Sequence, residues 1–220
     1  MYKVVEKFVS INGEGQKSGE LSVFIRLAGC NLSCVYCDTK WANTSDVKYD
    51  LMDKYEIYDY IKSTEIKNVT LTGGEPLLAK GVKDLIQIIV EDSSLYLEIE
   101  TNGSVSIEPF RTERDNLSFT LDYKSPSSQM NHLMNMSNYK YLKTNDTLKF
   151  VVASILDLDQ AFEVINTNYL SEKCKVYISP VFKEIEPITI VDYMIKQKCN
   201  GARLQLQMHK IIWDPSEKGV

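Results

Sequence analysis

Seven short runs of apolar and β-branched residues recur along the chain, at Leu21 to Leu27, Asn68 to Leu71, Leu95 to Ile99, Leu117 to Leu121, Leu148 to Val152, Lys175 to Ile178 and Ala202 to Leu206. Each has the length of a single strand. Between several of them the spacing turns helical. Val82, Leu85, Ile86 and Ile89 share one face at i, i+3, i+4 and i+7, and weaker faces occur at Ile57 with Ile61, Leu158 with Phe162 and Ile165, and Ile190 with Met194. Strands alternating with helices predict parallel β-α units, with the helices covering the outside of a sheet. In such α/β folds the ligand site lies at the carboxyl ends of the strands, so the residues just after each run are the candidates for chemistry. No internal repeat, low-complexity block or long Pro, Gly or Ser linker breaks the pattern. Residues 1–220 are accordingly expected to form one domain, and 44% hydrophobic content is enough to bury its core.

Charge and cysteine usage narrow the function. The 25 basic residues against 30 acidic ones leave a net charge of -5, which offers no broad positive field for nucleic acid. Lys3, Glu6 and Lys7 interrupt the start of the chain, so it lacks the apolar core of a signal peptide. The longest apolar run, Leu85 to Val90, falls far short of the roughly 20 residues that span a bilayer. A cytoplasmic protein with no membrane partner is the expectation. Three of the five cysteines fall within eight residues, a clustering that suggests a metal centre rather than a disulfide framework.

Those three, Cys30, Cys34 and Cys37, follow the run ending at Leu27, with three and then two residues between them. Thiolates on one tight loop can hold three corners of a cubane iron-sulfur cluster. A missing fourth ligand would leave one iron open, and an open iron can bind a reactant. The competing reading is a structural zinc site completed by His132, His209, Cys174 or Cys199.

With Tyr36 before the last cysteine, this loop resembles the cluster motif of the radical S-adenosylmethionine enzymes. The resemblance implies a 4Fe-4S cluster whose open iron is chelated by the amino and carboxylate groups of S-adenosylmethionine. A second feature follows the next strand, where Thr72-Gly73-Gly74-Glu75-Pro76 matches the segment that binds the methionine end of that cofactor in the family. Paired glycines let backbone approach a ligand closely, and Glu75 could help to position the cofactor's ammonium group.

Further segments resemble the 7-carboxy-7-deazaguanine synthase family in particular. They are Ile11-Asn12-Gly13-Glu14-Gly15, Phe24-Ile25-Arg26, Cys37-Asp38-Thr39, Glu100-Thr101-Asn102-Gly103, Lys124-Ser125-Pro126-Ser127 and Gln207-Met208-His209-Lys210. Together they cover nearly the whole chain. The resemblance implies an incomplete, modified (β/α) barrel that forms homodimers. It also implies a lyase reaction in which 6-carboxy-5,6,7,8-tetrahydropterin contracts with loss of ammonia to 7-carboxy-7-deazaguanine, on the route to deazapurines such as queuosine. Carried over by position, Ile11, Asn12, Gly13, Arg26, Thr72 and His209 would hold substrate, Gly74, Glu75, Ser125, Pro126 and Ser127 would hold S-adenosylmethionine, and Thr39 would bind Mg2+. Asn12 departs from the glutamine of many relatives and reaches less far.

Outside the resemblance several of these residues have ordinary explanations. Arg26 would be a surface ion pair, Thr39 a turn residue, and His209 a structural histidine. Glu100 and Asp122 at strand ends are candidates to position cofactor or substrate, with buried carboxylates paired with Lys124 as the alternative reading. Cys174 and Cys199 are isolated and read as packing residues. Without a second cysteine cluster, the reducing electron is expected from a separate flavodoxin or ferredoxin. Two rival functions share some of these features: an activase that makes a glycyl radical on a partner protein, and a metal-stabilised binding module without catalysis. The first lacks a use for the segments around Asn12 and His209, and the second for Thr72 to Glu75.

Overall fold

The computed structural model describes residues 1–215 and 217–220. The strands are β1 (Tyr2–Ile11), β2 (Leu21–Leu27), β3 (Asp50–Met52), β4 (Asn68–Gly73), β5 (Tyr96–Thr101), β6 (Leu117–Lys124), β7 (Thr147–Val152), β8 (Lys175–Pro180) and β9 (Arg203–Leu204). They form one sheet in the order β3-β1-β2-β4-β5-β6-β7-β8-β9. From β2 to β9 every pairing is parallel, whereas β1 runs antiparallel to both β2 and β3. The sheet does not close, so its architecture is that of an incomplete (β/α) barrel.

The helices are α1 (Lys54–Ser63), α2 (Val82–Glu91), α3 (Ile155–Thr167), α4 (Leu170–Lys173), α5 (Pro187–Lys196) and α6 (His209–Ile212). Local chemistry sets their starts. Asp53 caps α1, accepting from the amides of Tyr55 and Glu56 while Glu56 reaches back to the Asp53 amide. The Ser154 side chain caps α3, and Pro187 opens α5 with its fixed φ. The apolar faces read from the sequence are the buried ones, with Ile57 and Ile61 of α1 and Leu85, Ile86 and Ile89 of α2 in the core.

Several elements depart from expectation. Strands β1 and β3 extend the sheet beyond the seven runs. β1 carries charged residues among its apolar ones, yet Tyr2 and Val4 are buried and Phe8 stacks on Phe24 at 4.9 Å. The last run shrinks to the two residues of β9. In addition, the β5–β6 and β6–β7 crossovers contain only 3-10 turns. Proline and polar residues deny these segments an apolar helical face, and side chains stabilise them instead. Asp146, fully buried, pairs with Arg111 and accepts from the amides of Phe119 and Lys143.

Side-chain alternation gives the sheet two unlike faces. Val69, Leu71, Leu97, Ile99, Phe119, Leu121 and Phe150 belong to the apolar core. Their neighbours in sequence, Thr70, Thr72, Glu98, Glu100, Thr120, Asp122 and Lys149, face the other way into the concave lumen. Segments flanking the two ends of the sheet bridge the open side. The Gly15 amide donates to Oε1 of Gln205 at 2.8 Å, Nε2 of Gln205 donates to the Gly15 carbonyl at 3.0 Å, and the Met208 amide donates to the Gly13 carbonyl at 3.1 Å.

Within the lumen Glu98 is buried, accepts from Thr120 and stands near Glu100. Burial, reinforced by the Glu100 charge, pushes its carboxyl up to about 7 from an ordinary 4.5. A carboxyl raised on folding favours the folded state below its unfolded value and loses that advantage as pH rises through its folded value. Glu98→Gln should therefore stabilise the protein at pH 8 by about 1–3 kcal/mol, with the gain vanishing near pH 4, below the unfolded value. Urea denaturation at the two pH values measures it, and an equal effect at both would show that Glu98 is ionised in the fold.

Candidate active site

The carboxyl ends of the parallel strands surround a cavity of about 520 Å³. Cys30, Cys34 and Cys37, from the loop after β2, all line it. Cys34 is buried and the other two are half-buried. Burial pushes the Cys34 thiol up, with Lys124 opposing. The Leu32 amide lies 3.4 Å and Nδ2 of Asn102 3.5 Å from Sγ of Cys30, so N–H dipoles meet a sulfur able to carry thiolate charge. This donor set, three cysteine sulfurs with amide support at one wall of a cavity, fits the ligands of an iron-sulfur cluster. It fits a four-ligand zinc site poorly. Of the four residues that could complete such a site only His209 lines the cavity, whereas Cys174 is buried against the Leu170 carbonyl, Cys199 packs on the core and His132 is exposed. Among the described residues no three His, Cys, Asp or Glu converge on a position for one ion.

The Gly-Gly-Glu segment sits against this loop. The amides of Gly74 and Glu75 donate to the carbonyls of Leu27 and Gly29 at 3.0 and 2.8 Å. A Cβ on Gly74 would lie 2.1 Å from the Gly29 carbonyl oxygen and 2.2 Å from Oδ1 of Asn43, so only glycine fits beside the cluster loop. Thr72 and Gly74 line the cavity; Glu75 does not. Its buried carboxylate accepts from Leu77 N, Thr101 Oγ1 and Asn102 N. Glu75 thus orders the turn after β5, whose Thr101 and Asn102 do reach the cavity. Ser125, Pro126 and Ser127 stand behind the lining formed by Lys124. Oγ of Ser125 is buried without a partner, and the Ser127 amide donates to Asp157.

Ile11, Asn12, Gly13, Arg26, Thr39 and His209 all line the cavity. Oδ1 of Asn12 accepts from Thr70, which in turn bonds Ser22, while Nδ2 of Asn12 is buried and unpartnered. The short amide is therefore oriented by the sheet and keeps a free donor. A β-bulge between Val4 and Glu6 puts Glu6 opposite Arg26, and Oε2 of Glu6 accepts from its Nε at 2.9 Å. The ion pair is real, but it is largely buried and belongs to the cavity wall. Thr39 precedes the 3-10 turn Lys40–Asn43, and its Oγ1 lies 3.6 Å from Sγ of Cys37. His209 opens α6 over Gly13, where a Cβ would lie 2.2 Å from Nδ1. Burial lowers the histidine's affinity for a proton, and Glu14 opposes that effect.

The structure adds residues that motif reading passed over. Lys149, in the middle of β7, lies 3.0 Å from Oε2 of Glu14 and 3.9 Å from Oδ2 of Asp122, and Lys124 donates to that same Asp122 oxygen at 2.6 Å. Although burial would raise Glu14, the Lys149 charge and the Gln207 hydrogen bond outweigh it and hold the carboxyl at about 2. Burial opposes the charge on Lys149, yet Glu14 and Asp122 hold it well above the ordinary lysine value. A lysine inside an otherwise apolar strand was the available signal. The cluster loop also receives the C-terminal segment. Lys210 pairs with Asp38 at 3.4 Å, Lys218 lies 4.0 Å from the centre of the Trp41 ring, and Gly219 and Val220 line the cavity.

Since the backbone at Gly74 touches the residue before Cys30, Gly74→Ala should displace the cluster loop at a cost of about 1–3 kcal/mol. The reconstituted variant should retain much less iron and sulfide than the wild type while keeping its far-ultraviolet circular dichroism. Full iron content would show that the close approach is unrelated to the cysteines' geometry.

Comparison with known proteins agrees with these features. The Radical SAM superfamily model matches residues 24–169. A 7-carboxy-7-deazaguanine synthase of Clostridium acetobutylicum is 59% identical, over 100% of this chain and 99% of its own. Another, from Methanospirillum hungatei, is 37% identical over 97% of this chain and 86% of its own. The crystal structure of QueE from Escherichia coli superposes with a TM-score of 0.76 at 21% identity, covering 94% of each chain, and supports the fold. The chain belongs to the radical SAM superfamily and, within it, to the 7-carboxy-7-deazaguanine synthase family.

Proposed function

We propose that this protein is a 7-carboxy-7-deazaguanine synthase, converting 6-carboxy-5,6,7,8-tetrahydropterin into 7-carboxy-7-deazaguanine. The ring contracts and one ammonia leaves, so product and ammonia together account for every atom of the substrate. The observation that carries this reading is the single cavity onto which Cys30, Cys34 and Cys37 open together with Asn12, Arg26 and His209. An iron-sulfur cluster and S-adenosylmethionine, when bound, supply the one-electron chemistry that removes a hydrogen atom from carbon.

The chain's own residues then divide the remaining work. The three cysteines hold the cluster. Gly74 gives backbone room beside it, and the Ser125–Pro126–Ser127 turn and Glu75 support the S-adenosylmethionine side. Arg26 serves the substrate carboxylate, a role suited to the guanidinium fork, while Asn12 offers its free Nδ2. Ile11, Gly13, Thr72 and His209 complete the substrate wall. Thr39 contributes an oxygen to Mg2+, a hard cation that keeps several waters when the protein supplies few ligands. The protein works as a cytoplasmic homodimer and takes its electron from a flavodoxin or ferredoxin. Among the described residues no helix is long and apolar enough to cross a membrane.

An anaerobic assay of the reconstituted, reduced protein with S-adenosylmethionine, Mg2+ and the pterin tests this reading. The wild type should form 7-carboxy-7-deazaguanine, identified by mass spectrometry, and Cys30→Ala should lose both that product and 5'-deoxyadenosine. Cleavage of S-adenosylmethionine without deazaguanine product would assign the enzyme another substrate.

A further inference from the structure

At the floor of the cavity two carboxylates are each half used. Oε2 of Glu14 is occupied by Lys149 and Gln207, and Oδ2 of Asp122 by Lys124, with Lys149 beside it. The second oxygen of each, Oε1 of Glu14 and Oδ1 of Asp122, is buried and has no hydrogen-bond partner among the described residues. Both residues line the cavity. A buried, unpartnered carboxylate oxygen is costly, and one that borders a cavity gains its missing bond from a ligand that brings N–H or O–H donors.

Lys149 is what makes this arrangement possible. Its strand position pairs in register with Asp122, so the two side chains share the lumen face on adjacent strands. Glu14 reaches the same ammonium from the loop after β1, a separation of 135 residues. One buried cation thus fixes two acceptors contributed by unrelated parts of the chain. If Lys149 were absent, Glu14 would keep the Gln207 amide alone as its side-chain hydrogen-bond partner and would lose the charge that fixes its orientation most strongly.

We propose that Lys149 is a positioning residue for substrate recognition: by clamping Glu14 and flanking Asp122, it aims their free oxygens at the N–H donors of the aminopyrimidinone edge of the substrate. The proposal rests on the function argued above, because that edge belongs to a pterin. It assigns Lys149 no contact with the ligand and no proton transfer. The role is to keep acceptor-only groups in place, and a site built that way discriminates against analogues that lack the donor.

The test combines binding with turnover in the holoenzyme. Anaerobic calorimetry with 6-carboxy-5,6,7,8-tetrahydropterin, and with its 2-oxo analogue in which the exocyclic amine becomes a carbonyl, reads recognition; product formation reads kcat and KM. Lys149→Met should weaken pterin binding and raise its KM by about 10- to 100-fold, with little change in KM for S-adenosylmethionine. Lys149→Arg should recover most of the loss. Glu14→Gln, which preserves shape, should erode the wild type's preference for pterin over the 2-oxo analogue. Melting temperatures of all variants separate recognition from folding, and Glu14→Gln alone carries the test if Lys149→Met does not fold. Unchanged pterin affinity in the folded variants, or a lowered melting temperature with KM unaltered, would reduce the cluster to a structural ion network and overturn the proposal. A wild type that binds the pterin without converting it would sink the proposed reaction instead, leaving the clamp to be judged on binding.

Discussion

The concave face of this sheet carries Glu98, Glu100, Asp122, Lys124 and Lys149 rather than the aliphatic residues of a filled barrel, and the last four of these line the cavity. Placing charge there costs several kcal/mol per ion unless partners are supplied. Here they are supplied in a chain running from Lys124 through Asp122 and Lys149 to Glu14 and Gln207. Glu98, which has no such partner within hydrogen-bonding reach, holds a proton more readily instead. The lumen is thus lined by polar groups that satisfy one another rather than filled by apolar side chains.

The second dependence is between two loops. The cluster loop leaves β2 and the glycine segment leaves β4, and these strands are parallel neighbours. Their carboxyl ends emerge side by side, which is why the amides of Gly74 and Glu75 reach the carbonyls of Leu27 and Gly29. Glu75 extends the same tie to β5 through Thr101 and Asn102, and Asn102 turns back to Cys30. Three successive strands thus hold one cysteine. The register of a parallel sheet, together with the Glu75 and Asn102 side chains, sets where Cys30 stands.

Much of this was legible in the sequence where a pattern was local. The interior strands are short runs rich in apolar and β-branched residues, α2 has a full apolar face, and the cysteine spacing carries its chemistry within eight residues. β1 escaped because its exposed positions bear Lys3 and Val9 and its burial depends on pairing with β2, a nonlocal fact. The helix-free crossovers are stabilised by Asp146, whose partners Arg111 and Phe119 lie far away in sequence. The cavity was legible only through resemblance. Asn12, Arg26 and His209 were named by motif, but no periodicity announces that Glu14 meets Lys149 or that Lys218 covers Trp41. Glu75 illustrates the reverse case, since a motif residue can sit within the right segment and still spend its carboxylate on backbone amides.

The seam between Gly13–Gly15 and Gln205–Met208 joins segments separated by about 190 residues through two side-chain amides and one backbone bond. Closing so long a loop gains few contacts for its entropy, so the ladder from β2 to β8 can form before the seam does. The same imbalance operates in the native state. Breaking the seam's four hydrogen bonds disturbs no strand pairing, so its opening costs far less than global unfolding. Amide exchange at Gly15 and Met208 would then run ahead of exchange in β4 to β7, and the side of the barrel that looks shut would be the one most often ajar.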